Sequence, residues 1–578
     1  MNIRVYLSFF LCCVCALGSY AQTETDTIPK KLQKNIRVYS EPKVQLSDVV
    51  RISDRPQSKD SISLPVDVRY SINTKPVATL YEISTLRAVS ITGDKLPELY
   101  RGIASVGFGN YAKSYASFRY MSERSRQNQY GFNAYHYASA GKVRLDNDQK
   151  VAAGYSTDYL SAYGKVFKDK VTLYGSLTSK HETVRLYGYE TDTILPIALI
   201  YDTTLAKENT QRRVFSVSTQ GGIMSRKADD DRYQFTQEIL HDYTRFSPGL
   251  SESLLQASSE GFYTFDLVTA GYNADLSWSA RNFDARDSLV PRSYIHLNVL
   301  PYIGAIVDNW HLRVGLNMSQ LWGDQQFRAY PDVKFDYICN DYVFVPYIRY
   351  NGRLESYSMK DMYEENPYFS DSLMLKPTHY ASVFDVGIRG RALKNLPFKM
   401  YARFANVENM HFWVNDVEAT DTAQNTFKAV YDDASIFTAY AEGGVSRKKF
   451  DMLWSVTYNS YDLKNELRAW HRPGLEAKYT MKYNIVHPKT QKNKLVLKTD
   501  IFFEDIRYAQ NRITGKEMLM NGLFDCNIGI EYFYSSVFVA FLDFQNLTAT
   551  KYERFNKYPV QRFQVMFGVS YSFSGLRK

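Results

Sequence analysis

Apolar and polar side chains alternate with a period of two residues from Arg101 to Phe573, and no domain break interrupts the pattern. In the segment 310–318, every even-numbered residue is apolar, whereas His311 and Arg313 fall on the other face. Successive side chains of a β-strand point to opposite faces, so each segment has one apolar and one polar surface. The alternation therefore predicts an all-β chain built from many amphipathic strands.

The lengths of the strands and of their connections distinguish a membrane barrel from a soluble sandwich. The alternating segments are about 10–16 residues long, whereas strands of soluble folds are mostly about 5–6 residues long. Short connections at 168–170, 308–309, 393–396 and 447–449 alternate with long polar ones at 187–211, 247–260, 350–378, 409–431, 507–521 and 547–560. Short turns at one end and long loops at the other are typical of a transmembrane antiparallel β-barrel, in which every backbone polar group is paired.

The strand number follows from the same rule. Placing short turns on one side and long loops on the other gives 22 strands between Arg101 and Phe573. One of those turns, Gly271–Asn273, divides a segment that also fits a single long strand. The sequence therefore predicts an even number of about 18–22 strands, with 22 as the best fit.

Composition excludes two other classes of protein. Aromatic residues make up 15% of the 578 residues, with 47 Tyr and 34 Phe, which is too many for a chain that is disordered over most of its length. Past residue 21, no stretch approaches the roughly 20 apolar residues that a membrane-spanning helix needs.

The first 21 residues have the features of a secretory signal. Arg4 supplies a positive charge, the stretch 5–17 is apolar, and small residues precede a predicted cleavage site between Ala21 and Gln22. A lipoprotein signal is the weaker interpretation, because more apolar residues and the cleavage site follow the cysteines of this stretch. The chain is therefore predicted to be exported.

Three regions follow from these patterns: a signal peptide at 1–21, a periplasmic leader or minimal plug-like segment at 22–100, and a transmembrane barrel at 101–578. The leader is polar and irregular up to residue 64 and more apolar, but not regular, from there to residue 100. After cleavage only Cys339 and Cys526 remain, which is no disulfide framework, and the sequence leaves open whether these two pair.

Two parts of the sequence resemble a known family. The C-terminal run, with NLT at 546–548, KY at 551–552, YP at 558–559 and FQVMFGVSYSF at 563–573, resembles the closing hairpin of TonB-dependent receptors. The stretch 95–142 resembles the opening hairpins of a receptor-like barrel group from Bacteroidetes-type bacteria, and the segments 42–56 and 68–78 resemble the short leader of that group. The resemblance implies an outer-membrane barrel that acts in solute transport or permeation.

The leader departs from the parent family. The segment 22–100 is short for a plug domain, lacks a Gly-rich plug pattern and carries no convincing TonB box, for which Val44–Val50 is the nearest candidate. A group without a full plug is therefore predicted. The alternative function is a non-transporting envelope assembly or interaction protein whose barrel anchors long extracellular loops.

The polar faces of the strands provide the candidate site. Because a charge on the lipid face near the bilayer midplane costs about 2–4 kcal/mol, charged strand residues are predicted to face the lumen. These lumen-facing candidates are His311, Arg313, Lys399, Arg403, Lys498, Asp500 and Glu504. They form a basic-leaning wall that favours anionic solutes, or they pair across strands and only fill a wet interior.

The sequence predicts no cofactor and no metal site. The nine His residues never recur at i, i+2 or i, i+4, and the run Ala228–Asp231 fits a solvated turn better than a calcium loop. No nucleophile elbow, phosphate-binding loop or zinc-protease motif occurs, so no enzyme is predicted, although a triad on a barrel wall would leave no spacing signal.

The predicted partners follow from the barrel. They are outer-membrane lipid, an unidentified solute and a possible periplasmic or lumen-filling protein, with no nucleic acid. An empty barrel of this size would leak, so the lumen is expected to be filled by the segment 22–100, by infolded long loops or by that partner. The loops 350–378 and 409–431 are predicted to be external recognition surfaces.

Overall fold

The computed structural model describes residues 100–574, apart from gaps at 124, 147, 189–209, 227–231, 248, 283–292, 324–325, 340–342, 371–372, 393–395, 417–425, 448, 488–492 and 512–514. The signal segment, its cleavage site at Ala21 and Gln22, the leader up to residue 99 and the run Ala228–Asp231 lie outside the described residues.

The described chain folds into one sheet of 22 strands. In chain order these strands are β1 (Gly102–Gly109), β2 (Lys113–Met121), β3 (Asn128–Ser139), β4 (Tyr155–Phe167), β5 (Val171–Arg185), β6 (Gln211–Ser225), β7 (Tyr233–Phe246), β8 (Leu250–Phe265), β9 (Val268–Asn282), β10 (Ser293–Val307), β11 (Trp310–Trp322), β12 (Gln326–Tyr337), β13 (Phe344–Glu355), β14 (Thr378–Arg391), β15 (Pro397–Asn415), β16 (Phe427–Arg447), β17 (Phe450–Leu463), β18 (Leu475–Val486), β19 (Asn493–Glu504), β20 (Leu523–Phe533), β21 (Phe538–Gln545) and β22 (Gln564–Phe573).

Each strand pairs antiparallel with its neighbour in the chain, and the last strand closes on the first. Gly102 lies opposite Phe573 and Gly109 lies opposite Met566, so β1 and β22 pair along the whole length of β1. Closure leaves no unpaired edge. The predicted all-β fold, a closed antiparallel barrel of 22 strands, is confirmed. Among the described residues, no helix is long and apolar enough to cross a membrane.

Two predicted connections near the middle of the chain are wrong. The stretch 247–260, predicted as a long loop, is mostly β8, and the turn predicted at Gly271–Asn273 lies inside β9. The outward side chains of β8 up to residue 260 are small except for Leu255, so the alternation there is weak. Gly271 serves a close approach, because a Cβ atom would come within 2.4 Å of the Tyr302 ring. The two errors cancel in the strand number.

The connections define two ends of the barrel. The short-turn end has the connections 122–127, 168–170, 226–232, 266–267, 308–309, 338–343, 392–396, 448–449, 487–492 and 534–537. The long-loop end has 110–112, 140–154, 186–210, 247–249, 283–292, 323–325, 356–377, 416–426, 464–474, 505–522 and 546–563. The four predicted short turns all lie at the short-turn end, and five of the six predicted long loops lie at the long-loop end.

In the described parts of the long loops lie three two-stranded ladders and one helix. The ladders pair Lys142–Arg144 with Lys150–Ala152, Arg507–Gln510 with Glu517–Met520, and Glu553–Phe555 with Tyr558–Pro559. The helix α1 (Met359–Glu365) lies in the loop between β13 and β14.

The outer face of the barrel carries the exposed apolar side chains. Leu312 and Val314 are exposed on one face of β11, while Arg313 between them contacts Asp332 on the other face. The same alternation places Phe404 of β15 and Phe567 of β22, each more than half exposed, on the outer face. Such an apolar outer band is what contact with lipid requires.

Candidate functional site

The loop between β13 and β14 contains the one-sided helix α1. Ser358 is its N-cap and forms a capping box with Asp361, which pairs two backbone donors that would otherwise lack partners. Met359, Met362 and Tyr363 are buried and share one face at i, i+3 and i+4 spacing. The helix ends before Pro367, whose ring disfavours a helical conformation in the residue that precedes it. The sequence of α1 therefore requires an apolar partner surface.

That surface is a buried cluster at the long-loop end. We call it the loop cap and define it by its members: Val143, Ala153, Tyr187, Val214, Phe246, Leu250, Met359, Met362, Tyr363, Phe369, Leu373, Leu375, Trp413, Phe427 and Tyr558. Met359, Phe369, Leu373 and Phe427 have no exposed surface. Members come from β6–β8 and from β15–β16, which lie on far sides of the ring, so the cluster crosses the mouth of the barrel.

A buried ion pair fastens the start of the loop 356–377 to the wall. Glu252 of β8 and Arg281 of β9 are 2.8 Å apart, and their side chains are no more than 3% exposed. The Met359 N–H donates to Glu252 Oε2 at 2.7 Å, and Arg281 Nη2 donates to the Tyr357 carbonyl at 2.8 Å. These two bonds and one from the Ser279 hydroxyl to Glu252 Oε1, at 2.7 Å, offset part of the cost of burying the two charges.

Glu365, the last residue of α1, fastens the loop to the other side. His411 Nε2 and Trp413 Nε1, both on β15, donate to its carboxylate at 2.8 and 2.9 Å, and Arg472 lies 2.8 Å away. Burial alone would raise the pKa of Glu365, but the hydrogen bond from His411 and the charge of Arg472 lower it to about 2. The carboxylate is therefore ionised at neutral pH and joins α1 to β15 and to the loop 464–474.

The segment after α1 is held by backbone contacts. Arg212 of β6 donates to the carbonyls of Pro367 and Phe369 at 3.0 and 2.7 Å, and its guanidinium lies 4.5 Å from the Phe369 ring centroid. The Ser370 N–H donates to the carbonyl of Phe427 at 2.7 Å, where the loop pairs with the start of β16. The loop therefore contacts β6 and β16 within four residues.

Three tyrosines connect this segment with two other loops. The rings of Tyr368 and Tyr558 stack with centroids 3.6 Å apart, and Tyr187 packs edge-on against both. The Tyr187 hydroxyl donates to the Pro559 carbonyl at 2.9 Å, and burial raises the pKa of Tyr187. The loops 186–210, 356–377 and 546–563 thus share one aromatic contact.

His471 is a buried histidine that links three elements of the mouth. Its Nδ1 lies 2.9 Å from the Trp413 carbonyl, which only accepts, so Nδ1 carries the proton. Its Nε2 then accepts from the Asn556 N–H at 3.3 Å. Burial lowers the pKa of His471 to about 4, although the hydrogen bond to Trp413 opposes the shift. The neutral ring therefore joins β15, the loop 464–474 and the loop 546–563.

Four of the predicted site residues lie on one wall, formed by β11–β15. Arg313 contacts Asp332 at 2.8 Å, and Arg403 donates to both oxygens of Asp385 at 2.6 and 3.0 Å. His311 lies on the same face as Arg313. The ammonium of Lys399 lies 5.2 Å from the Tyr401 ring centroid.

The sequence missed the acidic partners and two further cations of this wall. Arg313, Lys334, Arg349, Asp385 and Arg403 are consecutive register partners from β11 to β15. These residues could have been found from the period-two alternation on β12–β14, because each of the charged residues there lies between apolar or aromatic neighbours.

The other three candidates lie apart from that wall, on β19. Lys498 contacts Glu531, Glu504 lies 3.3 Å from Arg507, and Asp500 is exposed. Cys339 and Cys526 are both free. In the part of the chain that the structure describes, no group of three or more His, Cys, Asp or Glu side chains could hold a metal ion.

Comparison with known proteins shows a shared fold. No family model and no curated protein matches the sequence. Among solved structures, the copper transporter OprC is 12% identical with a TM-score of 0.59, and the ferric-catecholate import receptor Fiu from E. coli K12 is 10% identical with a TM-score of 0.60. The FrpB iron transporter from Neisseria meningitidis is 10% identical with a TM-score of 0.61. Each match covers 83% of this chain and 82% of the other. The chain therefore has the 22-stranded barrel fold of the TonB-dependent receptors.

Proposed function

We propose that this chain is an outer-membrane barrel that transports a solute through a lumen whose long-loop end is closed by the loop cap. The observation that carries the proposal is the burial of the loop 356–377, which crosses the mouth and contacts both sides of the ring. The apolar outer band and the fold support the outer-membrane location. The predicted signal peptide supports export. Transport by this route needs no covalent step.

The buried loop favours a gate over a display surface. The loop 350–378 was predicted to be an external recognition surface, but Met359, Phe369 and Leu373 within it have no exposed surface. That prediction is wrong for the part of the loop that packs into the mouth. A barrel that only displayed its loops to a partner would leave them in contact with water.

The wall of β11–β15 supplies the proposed solute-lining surface. His311, Arg313, Lys399 and Arg403 line it together with Lys334, Arg349 and Arg389, against the acids Asp332, Asp336 and Asp385 and against Glu442 of the neighbouring β16. The excess of cations would attract an anionic solute. Farther round the wall, on β19, Lys498, Asp500 and Glu504 contribute both signs of charge.

With the long-loop end covered by the loop cap, the short-turn end is the other place where the lumen could be closed, and β1 begins there. We propose that the leader 22–100 acts there as a minimal plug, alone or with a periplasmic protein partner. Its position at the start of β1 supports this role, because β1 and β22 begin and end at the short-turn end.

Single-channel conductance in a planar bilayer tests the gate. Four forms are compared: the mature chain, the chain without 22–100, the chain with 358–375 replaced by a Gly/Ser linker, and the chain with both changes. We expect the mature chain to be silent and the doubly changed chain to conduct steadily. A matched control replaces the short-turn connection 392–396 with Gly/Ser, which should leave the barrel silent. Large steady conductance of the mature chain would contradict a closed mouth.

A further inference from the structure

Three polar side chains form a hydrogen-bonded row on the outer wall of β2–β4. Ser114 Oγ lies 2.9 Å from His136 Nε2, and His136 Nδ1 lies 2.5 Å from Asp158 Oδ1. The carboxylate of Asp158 only accepts, so Nδ1 carries the ring proton and Nε2 is an acceptor. The hydroxyl of Ser114 therefore donates to His136. This is the connectivity of a nucleophile, a general base and an orienting acid.

The register of the strands produces the row. His136 of β3 lies directly opposite Asp158 of β4, and Ser114 of β2 lies one diagonal step away, since its direct partner is Ala138. His181 of β5 lies opposite Asp158, and its Nδ1 is 4.0 Å from Asp158 Oδ2. Each contact is between neighbouring or diagonal strand positions, so the barrel wall itself holds the geometry.

The row faces outward. Ser114 shares its face with Phe118, Asp158 with Leu160, and His181 with Leu177, and these three apolar side chains are 39–53% exposed. The side chains of His136, Asp158 and His181 are 42–46% exposed. The row is therefore accessible from outside the barrel and is separate from the lumen and from the loop cap.

The row lies at the boundary between an apolar band and a polar rim. Toward the short-turn end, most outward positions of β2–β5 are apolar or small: Ala116, Phe118, Phe132, Ala134, Leu160, Ala162, Leu173 and Leu177. One position closer to the long-loop end, the outward residues are Ser114, Ala138, Ser156 and Thr183. In a membrane this boundary is where hydrocarbon meets the headgroup region, and lipid acyl esters lie at that depth.

The turn before Ser114 is tightly fixed. Tyr111 and Ala112 have φ values of 57° and 48°, a left-handed pair that non-glycine residues rarely adopt. The Ala140 N–H and the Ser139 hydroxyl both donate to the Tyr111 carbonyl, at 3.0 and 3.3 Å. Such backbone strain is maintained only when the surroundings determine it, and it is common near active sites.

We propose that Ser114, His136 and Asp158 form a hydrolytic triad that cleaves fatty acyl esters of membrane lipids at the long-loop side of the bilayer. Ser114 and His136 are the catalytic residues. Asp158 is a positioning residue that holds the ring of His136 in the correct tautomer. This activity does not depend on the transport proposed for the lumen.

The reaction balances with water as the co-reactant. Ser114 Oγ bonds to the ester carbonyl carbon while its proton moves to His136 Nε2. The tetrahedral intermediate collapses, the ester C–O bond breaks, and the alcohol leaves with the proton from Nε2. A water molecule from the headgroup region then attacks the acyl-serine and gives its proton to Nε2. The C–O bond to Ser114 breaks, Oγ recovers its proton, and a fatty acid is released.

The first test is covalent labelling of the full chain in vesicles by an alkyl fluorophosphonate, with the labelled peptide identified by mass spectrometry. We expect label on Ser114, and a loss of labelling rate of roughly 10²–10⁴-fold in His136→Gln. Ser156→Ala is the matched control, because Ser156 is an outward serine of the same rim on β4. Equal labelling of the native chain and Ser114→Ala would overturn the proposal. The heat-dependent gel mobility of each variant reports whether the barrel is folded.

The second test measures fatty acid released from vesicles of phosphatidylethanolamine and phosphatidylglycerol, with and without added lipopolysaccharide. Release that Ser114→Ala abolishes supports the proposal, and the arm in which it occurs identifies a phospholipid or lipid A as the source. No Ser114-dependent release in either arm overturns it.

Hydrolysis of a p-nitrophenyl acyl ester separates the role of Asp158 from a structural one. Asp158→Asn should lower kcat by roughly 10²–10⁴-fold with little change in KM, and Asp158→Glu should restore part of kcat. A change in KM alone, or no rescue, would contradict the positioning role.

Discussion

The two ends of the barrel are built by different rules. At the short-turn end, connections of two to seven residues join strands that are paired through backbone ladders. At the long-loop end, side chains from loops distant in sequence form an apolar core with buried ion pairs, as in a soluble domain. Because the wall does not need that core to close, the loop cap can open as a local unit while the ladders stay intact.

The largest effect should come from breaking the buried ion pair. Arg281→Ala leaves Glu252 as an unpaired buried charge and removes the bond to the Tyr357 carbonyl. We expect the loop cap to lose about 3–5 kcal/mol of stability while the barrel wall loses little. Hydrogen exchange of 356–377, compared with that of β1 and β22, measures both. Equal destabilisation of cap and wall would show that the two ends are one cooperative unit.

Acid should also weaken the loop cap, through the protonation of one buried histidine. The pKa of His471 is about 4 in the folded cap against 6.5 ordinarily, so its contribution is present in full above pH 6.5 and is lost as the pH falls toward 4. The loss amounts to about 3 kcal/mol, because the buried ring would have to carry a charge away from water. Protonated Nε2 would also no longer accept from Asn556. Conductance of the chain without 22–100, recorded between pH 7 and 4, should rise.

A control is needed because Glu365 also makes the loop cap less stable in acid. Its pKa is about 2 in the folded cap against 4.5 ordinarily, so its contribution to stability is lost at lower pH than that of His471. In His471→Gln the response above pH 4.5 should disappear. An unchanged response would assign the pH dependence to another group.

A smaller effect is expected from the helix cap. Ser358→Ala removes the side chain that accepts from the Asp361 N–H at 3.1 Å, which should cost α1 about 0.5–2 kcal/mol. Faster hydrogen exchange confined to 358–366 would agree with this expectation. Exchange that spread to β14 would show that α1 also supports the wall.

The same contrast explains what the sequence could predict. The wall depends on local alternation, so the barrel class and the strand number follow from the sequence. Among the described strands, the assignment slips at β8, whose outward residues up to 260 are mostly small, and at the turn placed inside β9. Arg313 and Arg403 were chosen as candidates from the sequence because each lies between apolar neighbours on its own strand.

The loop cap and the hydrogen-bonded row of Ser114, His136 and Asp158 could not be predicted, because their residues are distant in sequence and meet only in the folded barrel. Glu252 meets Met359 across more than a hundred residues, and neither carries a local motif. His136 lies 22 residues after Ser114, and Asp158 lies 22 residues after His136. This spacing is about one hairpin, and only the strand register shows that it brings the three side chains into contact. Polar residues at outward strand positions were the one signal available for the row.

The smallest effect is expected from an exposed ion pair at the long-loop end. Removing it tests whether ion pairs there stabilise the loop cap because they are buried or only because they lie at that end. Arg468 and Glu517 form an ion pair at 2.7 Å between the loops 464–474 and 505–522, yet both side chains are more than two-fifths exposed. Water and salt screen such a pair, so Arg468→Ala should change cap stability far less than Arg281→Ala does. Hydrogen exchange of the segment 464–474 at low and high salt measures it. A loss as large as that of Arg281→Ala would mean that the whole long-loop end, including its exposed rim, resists opening as one body.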